Sequence, residues 1–234
     1  MENAILLAAG KGTRMYPLTE ETPKPLVKAN GKPFIETLIE GLLYRNVDNI
    51  YITIGYKKEQ FLYLKDKYPK ITFIENDRFM TENNISSVYL AREQLRSGSC
   101  FVCDSDLYIR DKTIFDAELT ENCYYAKWFD GPTDDWVFDV DDTLHITKIK
   151  HGGADQHMMV AIVYFTPEGA KKLADAIEDE YGRPGYEELL WDNVLGRHLE
   201  DIRMGLHLIS GNELEECDTV EELRAFEAKL RAEN

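Results

Sequence analysis

Two cation-bearing elements and one pair of carboxylates in this chain have the residue types and spacing of phosphate chemistry. The first is the run Leu6-Leu7-Ala8-Ala9-Gly10-Lys11-Gly12-Thr13-Arg14, followed by Pro23-Lys24-Pro25. Glycines in such a turn let the backbone come close to a bulky anion, and its free amides then point at the anion's oxygens. Lys11, Arg14 and Lys24 add the charge needed to neutralise a row of phosphates. The carboxylate pair is Asp104-Ser105-Asp106, a natural seat for the hard cation that accompanies a nucleoside triphosphate. The chemistry is that of an NTP site with Mg²⁺.

Two commoner phosphate loops do not fit. A dinucleotide-binding fingerprint needs a third glycine for helix–strand packing, and Met15 stands in its place. A P-loop ends in Gly-Lys-Ser/Thr, a triplet that Gly10-Lys11-Gly12-Thr13 does not contain. An ordinary strand–turn connection would explain Gly-x-Gly alone. It does not explain the added Thr-Arg and Pro-Lys-Pro.

The elements that must position these groups read as alternating strands and helices. Strands are expected at Ala4–Ala8, Asn49–Gly55, Ile71–Glu75 and Cys100–Asp104. Helices are expected at Pro33–Tyr44, Lys57–Tyr68 and Ser86–Leu95. This alternation implies an α/β fold, a mostly parallel central sheet flanked by helices, with ligands beyond the carboxyl ends of the strands. Both the glycine turn and Asp104–Asp106 fall at such ends. Around residues 124–165 the pattern changes to aromatic-rich strands and a hairpin, read as an inserted β-rich lobe within a single domain spanning 1–234. Helix then resumes at Thr166-Pro167, and the last helix opens on a capping box at Thr219 to Glu222.

Composition narrows the classes. The 234 residues carry a net charge of −16, which argues against nucleic acid as a partner. Residues 1–33 hold five Lys/Arg against three acids, so positive charge gathers where the triphosphate is placed and the rest carries −18. No apolar run approaches the ~20 residues of a membrane span, and the start of the chain does not read as a signal peptide, so a cytoplasmic protein is expected. Cys100-Phe101-Val102-Cys103 has a redox or zinc spacing, but three residues apart on a strand face opposite ways. Without a second pair these read as reduced structural thiols. Asp139-Val140-Asp141-Asp142-Thr143 matches a phosphatase motif, yet fewer than 100 residues follow it. A solvated hairpin turn is expected there, and a loop at His151 and His157.

The stretch Gly10-Lys11-Gly12-Thr13-Arg14-Met15-Tyr16-Pro17-Leu18-Thr19-Glu20-Glu21-Thr22-Pro23-Lys24-Pro25-Leu26 resembles the signature of the sugar-phosphate nucleotidylyltransferase superfamily. That resemblance implies a Rossmann-like enzyme whose Leu7, Ala8, Ala9, Gly10, Gly12, Thr13, Arg14 and Lys24 bind the nucleotide, with Arg14 and Lys24 acting on the reacting phosphates. It also implies Mg²⁺ on Asp106 and, from Glu216-Cys217-Asp218-Thr219, on Asp218. The bland reading of Asp218 is a helix cap. Asp-x-Asp by itself would equally suit a glycosyltransferase; the Gly-Thr-Arg and Pro-Lys elements separate the two.

Later motifs are similar to the bacterial choline-phosphate cytidylyltransferases. The run Glu82-Asn83-Asn84-Ile85-Ser86-Ser87-Val88-Tyr89-Leu90 resembles their helix beside the base, implying nucleotide contacts from Asn84 and Ser87. Trp191-Asp192-Asn193 and Trp136 match further signatures, with Leu190 departing where relatives can carry Tyr. A trimethylammonium group is held by aromatic faces and negative charge, which Trp136, Tyr186, Trp191 and Asp192 can offer. Core packing is the competing account of each Trp. The expected partners are CTP and a small phosphorylated amino alcohol, phosphocholine first. 2-Aminoethylphosphonate and phosphoethanolamine stay open, as does a sugar 1-phosphate, and Lys148 or Lys150 is a candidate for the acceptor phosphate. A degenerate, non-enzymatic scaffold would have lost Lys24, Asp106 or Asp218, and all three are present.

Overall fold

The computed structural model describes residues 1–233, organised on a seven-stranded sheet. Its strands are β1 (Glu2–Ala8), β2 (Asn49–Ile54), β3 (Ile71–Glu75), β4 (Ser99–Asp104), β5 (Cys123–Val140), β6 (Ile146–Phe165) and β7 (Gly205–Ile209). They lie in the order β7-β5-β6-β4-β1-β2-β3. All run the same way except β6, which is antiparallel to both β4 and β5.

The period-2 pattern of the buried strands divides the interior into two cores. Ala4, Leu6 and Ala8 of β1 face one, and Ile5 faces the other. Helix α1 (Phe34–Tyr44) covers the first face with Ile35, Leu38, Ile39 and Leu42, a single helical stripe. Helices α2 (Ile85–Leu90), α3 (Pro167–Glu180) and α4 (Trp191–Arg197) cover the second, with Ala170, Leu173, Ala174 and Ile177 as the buried side of α3. Cys100 and Cys103 fall into opposite cores, as their spacing on a strand requires, and all four thiols are free and buried.

Thr166 caps α3 by accepting from the Gly169 amide, and Thr219 with Glu222 forms the capping box of α5 (Val220–Ala232). The Asp-x-Asp-x-Thr segment is a surface turn in which the Asp141 carboxylate accepts from the Thr143 and His145 amides. No helix among the described residues is long and apolar enough to cross a membrane.

Three expectations change. The helix expected over Lys57–Tyr68 divides into a 3₁₀ turn, Lys58–Phe61, and a short helix, Tyr63–Lys67; Lys57 starts it in the left-handed region at φ 48°. The helix expected over Ser86–Leu95 breaks at Ala91, leaving α2 and Arg92–Leu95. His151 and His157 sit on β6, not on a loop, each against a tryptophan of β5. The hairpin of residues 124–165 is also continuous with the main sheet at its base: Ile162–Phe165 supplies the apolar strand end that β4 pairs with. Its turn end also returns to the sheet, where His145 bridges Gly205 and the Ile146 amide donates to the Met204 carbonyl.

Candidate active site

The glycine turn leaves β1 and folds back over Lys24. Gly12 has φ 61°, and a Cβ there would lie 2.6 Å from the Lys24 Cβ, so both the conformation and the close approach require glycine. The Thr19 hydroxyl donates to the Gly12 carbonyl at 2.8 Å, and the buried Met15 anchors the turn from below. Lys24 opens a 3₁₀ turn, Lys24–Leu26, with Pro23 and Pro25 limiting its backbone. Its side chain is only 7% exposed.

The Lys24 ammonium donates to Asp106 Oδ2 and to Asp218 Oδ1, each at 2.5 Å. Arg14 Nη2 lies 2.7 Å from the same Asp218 oxygen, from an exposed position. Asp106 follows the end of β4. Asp218 arrives because Leu214–Glu216 pairs antiparallel with Leu107–Ile109, placing Glu216 opposite Leu107. The helix cap is Thr219, so the Asp218 carboxylate is left for Lys24 and Arg14.

This corner is rich in acid. Burial alone would lower the Lys24 pKa, but the carboxylates of Asp106 and then Asp218 outweigh it and hold the ammonium above its ordinary value. Glu216 is exposed as a residue, yet desolvation of its carboxyl in this corner, then Asp106 and Asp218, push it up to about 8, with Lys24 opposing. Asp104 stands well above the usual carboxylate range, first through burial and next through Asp106. Asp106, Glu216 and Asp218 offer oxygens within 4.8 Å of one another, and the buried Asp106 Oδ1 has no hydrogen-bond partner. Hard oxygen ligands, unbalanced negative charge and an unsatisfied carboxylate oxygen fit a divalent cation such as Mg²⁺. Sequence reasoning nominated Asp106 and Asp218 but passed over Glu216. Its signal was present: Glu216 and Asp218 are two apart in the segment that leaves a strand.

Asp104 and Asp106 border a cleft of about 240 Å³ beyond the ends of β1 and β4. Leu7, Ala8, Ala9, Gly10, Gly12, Arg14 and Lys24 line it, as do Asn84 and Ser87. Of the expected phosphate and nucleotide contacts, Lys11 and Thr13 are outside the lining; Thr13 begins the 3₁₀ turn Thr13–Met15 in an exposed position. Asn76, directly after β3, was not foreseen. Its buried amide donates to Ser86 Oγ and Ser87 Oγ at 3.0 Å, fixing the entry to α2.

The four expected acceptor residues separate. Trp136 and Asp192 share a second pocket with Lys148, Asn193 and Arg197. Trp136 packs on His151, ring centroids 3.5 Å apart. Asp192 accepts a hydrogen bond from the Tyr124 hydroxyl, and burial pushes its carboxyl up to about 6 against that bond. Trp191 is 3% exposed, stacked on Tyr124 and edge-on to Phe165, which is the environment of a packing residue. The Tyr186 hydroxyl donates at 3.0 Å to Glu82, a residue that lines the first cleft, and Tyr186 does not line the second pocket. Lys150 is paired with Asp139 at 2.6 Å, leaving Lys148 as the lysine beside the second pocket. Asn84 bridges the two regions by accepting from the Trp191 amide at 3.0 Å.

Residues 3–122 match the family model described as Nucleotidyl transferase. A 2-aminoethylphosphonate cytidylyltransferase from Lancefieldella rimae is 44% identical over 96% of this chain and 92% of its own. The choline-phosphate cytidylyltransferase of Streptococcus pneumoniae is 34% identical over 99% of both. The solved structure of a CTP:phosphocholine cytidylyltransferase from that organism superposes with a TM-score of 0.90 at 33% identity, covering 98% of this chain and 99% of that one. A Bacillus anthracis structure named for glucose-1-phosphate thymidylyl transfer shares the fold, with a TM-score of 0.80 at 17% identity over 99% of this chain and 96% of its own.

Proposed function

The chain belongs to the nucleotidyl transferase family, and from that premise we propose that it transfers a cytidylyl group from CTP to 2-aminoethylphosphonate, releasing pyrophosphate. One observation carries the choice of acceptor. Trp191 and Tyr124 cover each other in the core, so the aromatic box that a trimethylammonium group needs is reduced to the single half-buried face of Trp136. A primary ammonium relies instead on acceptors for its N–H groups, and Asp192 provides a carboxylate in that pocket. The name of the 44%-identical relative supports the same acceptor.

In this reading a phosphonate oxygen attacks the α-phosphorus of CTP, the bond from that phosphorus to the bridging oxygen breaks, and pyrophosphate leaves with the bond's electrons. The phosphonate is ionised near neutral pH, so the site needs no general base. Catalysis is positioning and charge neutralisation. Lys24 and Arg14 bring positive charge to the polyphosphate, and the glycine turn offers backbone amides. Asp106, Glu216 and Asp218 would hold Mg²⁺, which supplies charge neutralisation and alignment of the phosphates.

Phosphocholine is the second reading, favoured by the open face of Trp136 and by the Streptococcus pneumoniae relative. The test is pyrophosphate release with four NTPs crossed with 2-aminoethylphosphonate, phosphoethanolamine, phosphocholine and glucose 1-phosphate. A kcat/KM for 2-aminoethylphosphonate at least ~10-fold above that for phosphocholine supports the first reading, a margin within reach of one pocket contact. Turnover with the sugar phosphate alone would overturn both.

A further inference from the structure

Glu82 belongs to neither the phosphate turn nor the carboxylate cluster, yet it lines the cleft. Its side chain is held on both sides. Oε1 accepts from the Tyr186 hydroxyl at 3.0 Å, and Oε2 accepts from the Tyr181 hydroxyl at 2.5 Å. Tyr181 is itself immobilised: its ring stacks flat on Tyr89 with centroids 3.6 Å apart, and Arg78 donates to its hydroxyl. The result is a carboxylate in fixed position whose spare lone pairs can only accept hydrogen bonds.

The two pockets show which part of the substrate meets it. Glu82 lines the first cleft with Leu7, Ala8, Asn84 and Ser87, past the phosphate turn, while Trp136 and Asp192 line a separate pocket. Lys24, Arg14 and Asp106 line the same cleft as Glu82. With the phosphates at the lysine and arginine and the acceptor in the second pocket, the Glu82 end of the first cleft is left for the base.

On the reading that CTP is the donor, we propose that Glu82 selects cytosine over uracil. Cytosine carries an amino group at position 4, which donates; uracil carries an oxygen there, which only accepts. A carboxylate receives the cytosine amino group and repels the uracil oxygen. Tyr181 and Tyr186 are positioning residues that act through Glu82.

The test is the ratio of kcat/KM for CTP to that for UTP, with the acceptor the wild-type protein uses best. Wild-type protein is expected to prefer CTP by at least ~100-fold, and E82Q, whose amide can serve either base, is expected to bring the ratio down ~10-fold or more. E82A should lower the ratio as well, E82D should restore part of it, and Y186F should shift it less than E82Q. The KM for the acceptor should stay at its wild-type value in E82Q, a result that general damage to the site would not give. An unchanged ratio in E82Q and E82A, whatever their absolute rates, overturns the assignment of Glu82 and leaves the cytidylyl reading intact. A wild-type enzyme that uses UTP as well as CTP overturns both. If E82A does not fold, the near-isosteric E82Q decides.

Discussion

Gly12 and Lys24 are packed backbone against side chain, so closely that a β-carbon on Gly12 would lie 2.6 Å from the Lys24 Cβ. The glycine that shapes the phosphate turn therefore also sets where the buried ammonium stands. Gly12→Ala adds left-handed strain of about 1 kcal/mol and displaces Lys24 from its carboxylates. We expect a fall in Tm of roughly 2–4 °C with a far larger loss of kcat. A variant with both losses small would separate the turn from the lysine.

Lys24→Ala removes the ammonium shared by Asp106 and Asp218. Its kcat is expected to fall at least ~100-fold, the scale of losing one preorganised electrostatic group. The acids are then uncompensated, so Lys24→Ala/Asp106→Asn should melt higher than Lys24→Ala alone. Circular dichroism melts and single-turnover rates check the two halves; near-wild-type turnover in Lys24→Ala would remove the catalytic role given to this lysine.

The two tryptophans of the acceptor region predict opposite phenotypes. Trp191→Ala opens a hole among Tyr124, Phe165 and their neighbours and should cost about 3–5 kcal/mol of stability. Trp136→Ala should leave stability near wild type but raise the acceptor KM about tenfold, with the CTP KM unchanged. Denaturant titration and initial rates distinguish them, and a stable Trp191→Ala protein would contradict the core placement.

Asp192 makes stability depend on pH. Its folded-state pKa of about 6 stands above the ordinary value near 4. Such a carboxyl favours the folded state fully below about pH 4, and that contribution is lost as pH rises through about 6. Asp192→Asn stays neutral throughout and offers an oxygen to the Tyr124 hydroxyl. Its Tm relative to wild type should be higher at pH 7.5 than at pH 4.5, by the equivalent of about 2 kcal/mol. An equal difference at both pH values would show that the carboxyl titrates normally.

Much of this molecule is legible in its residues. Strand positions follow from short apolar runs bounded by turn residues, and Thr166 and Thr219 announce helices by capping chemistry that is local to the chain. The phosphate turn is also local, so Gly10 to Lys24 could be read directly. What was hidden depends on distant pairing. Glu216 joins Asp106 only because Leu214–Glu216 docks on Leu107–Ile109. Trp191 and Trp136 are alike as letters, but one meets Tyr124 and Phe165 in the core while the other meets His151 at a pocket. Asn76 occupies a connection that carries no motif, and Glu82 opens a recognised run that gave it no role of its own; their meaning comes from the serines and tyrosines folded against them.

The pairing of β4 with β6 carries a consequence for how such enzymes diversify. Cys103 and Ile162 sit opposite each other one residue before Asp104, so the acceptor hairpin is registered against the very strand that delivers Asp106. Trp136, farther along that hairpin, pairs with His151 and takes no part in this registration. Side chains there can be exchanged to suit a new amine, alcohol or sugar while the reacting centre keeps its alignment. Changing the recipient and preserving the reaction are, in this architecture, separable evolutionary steps.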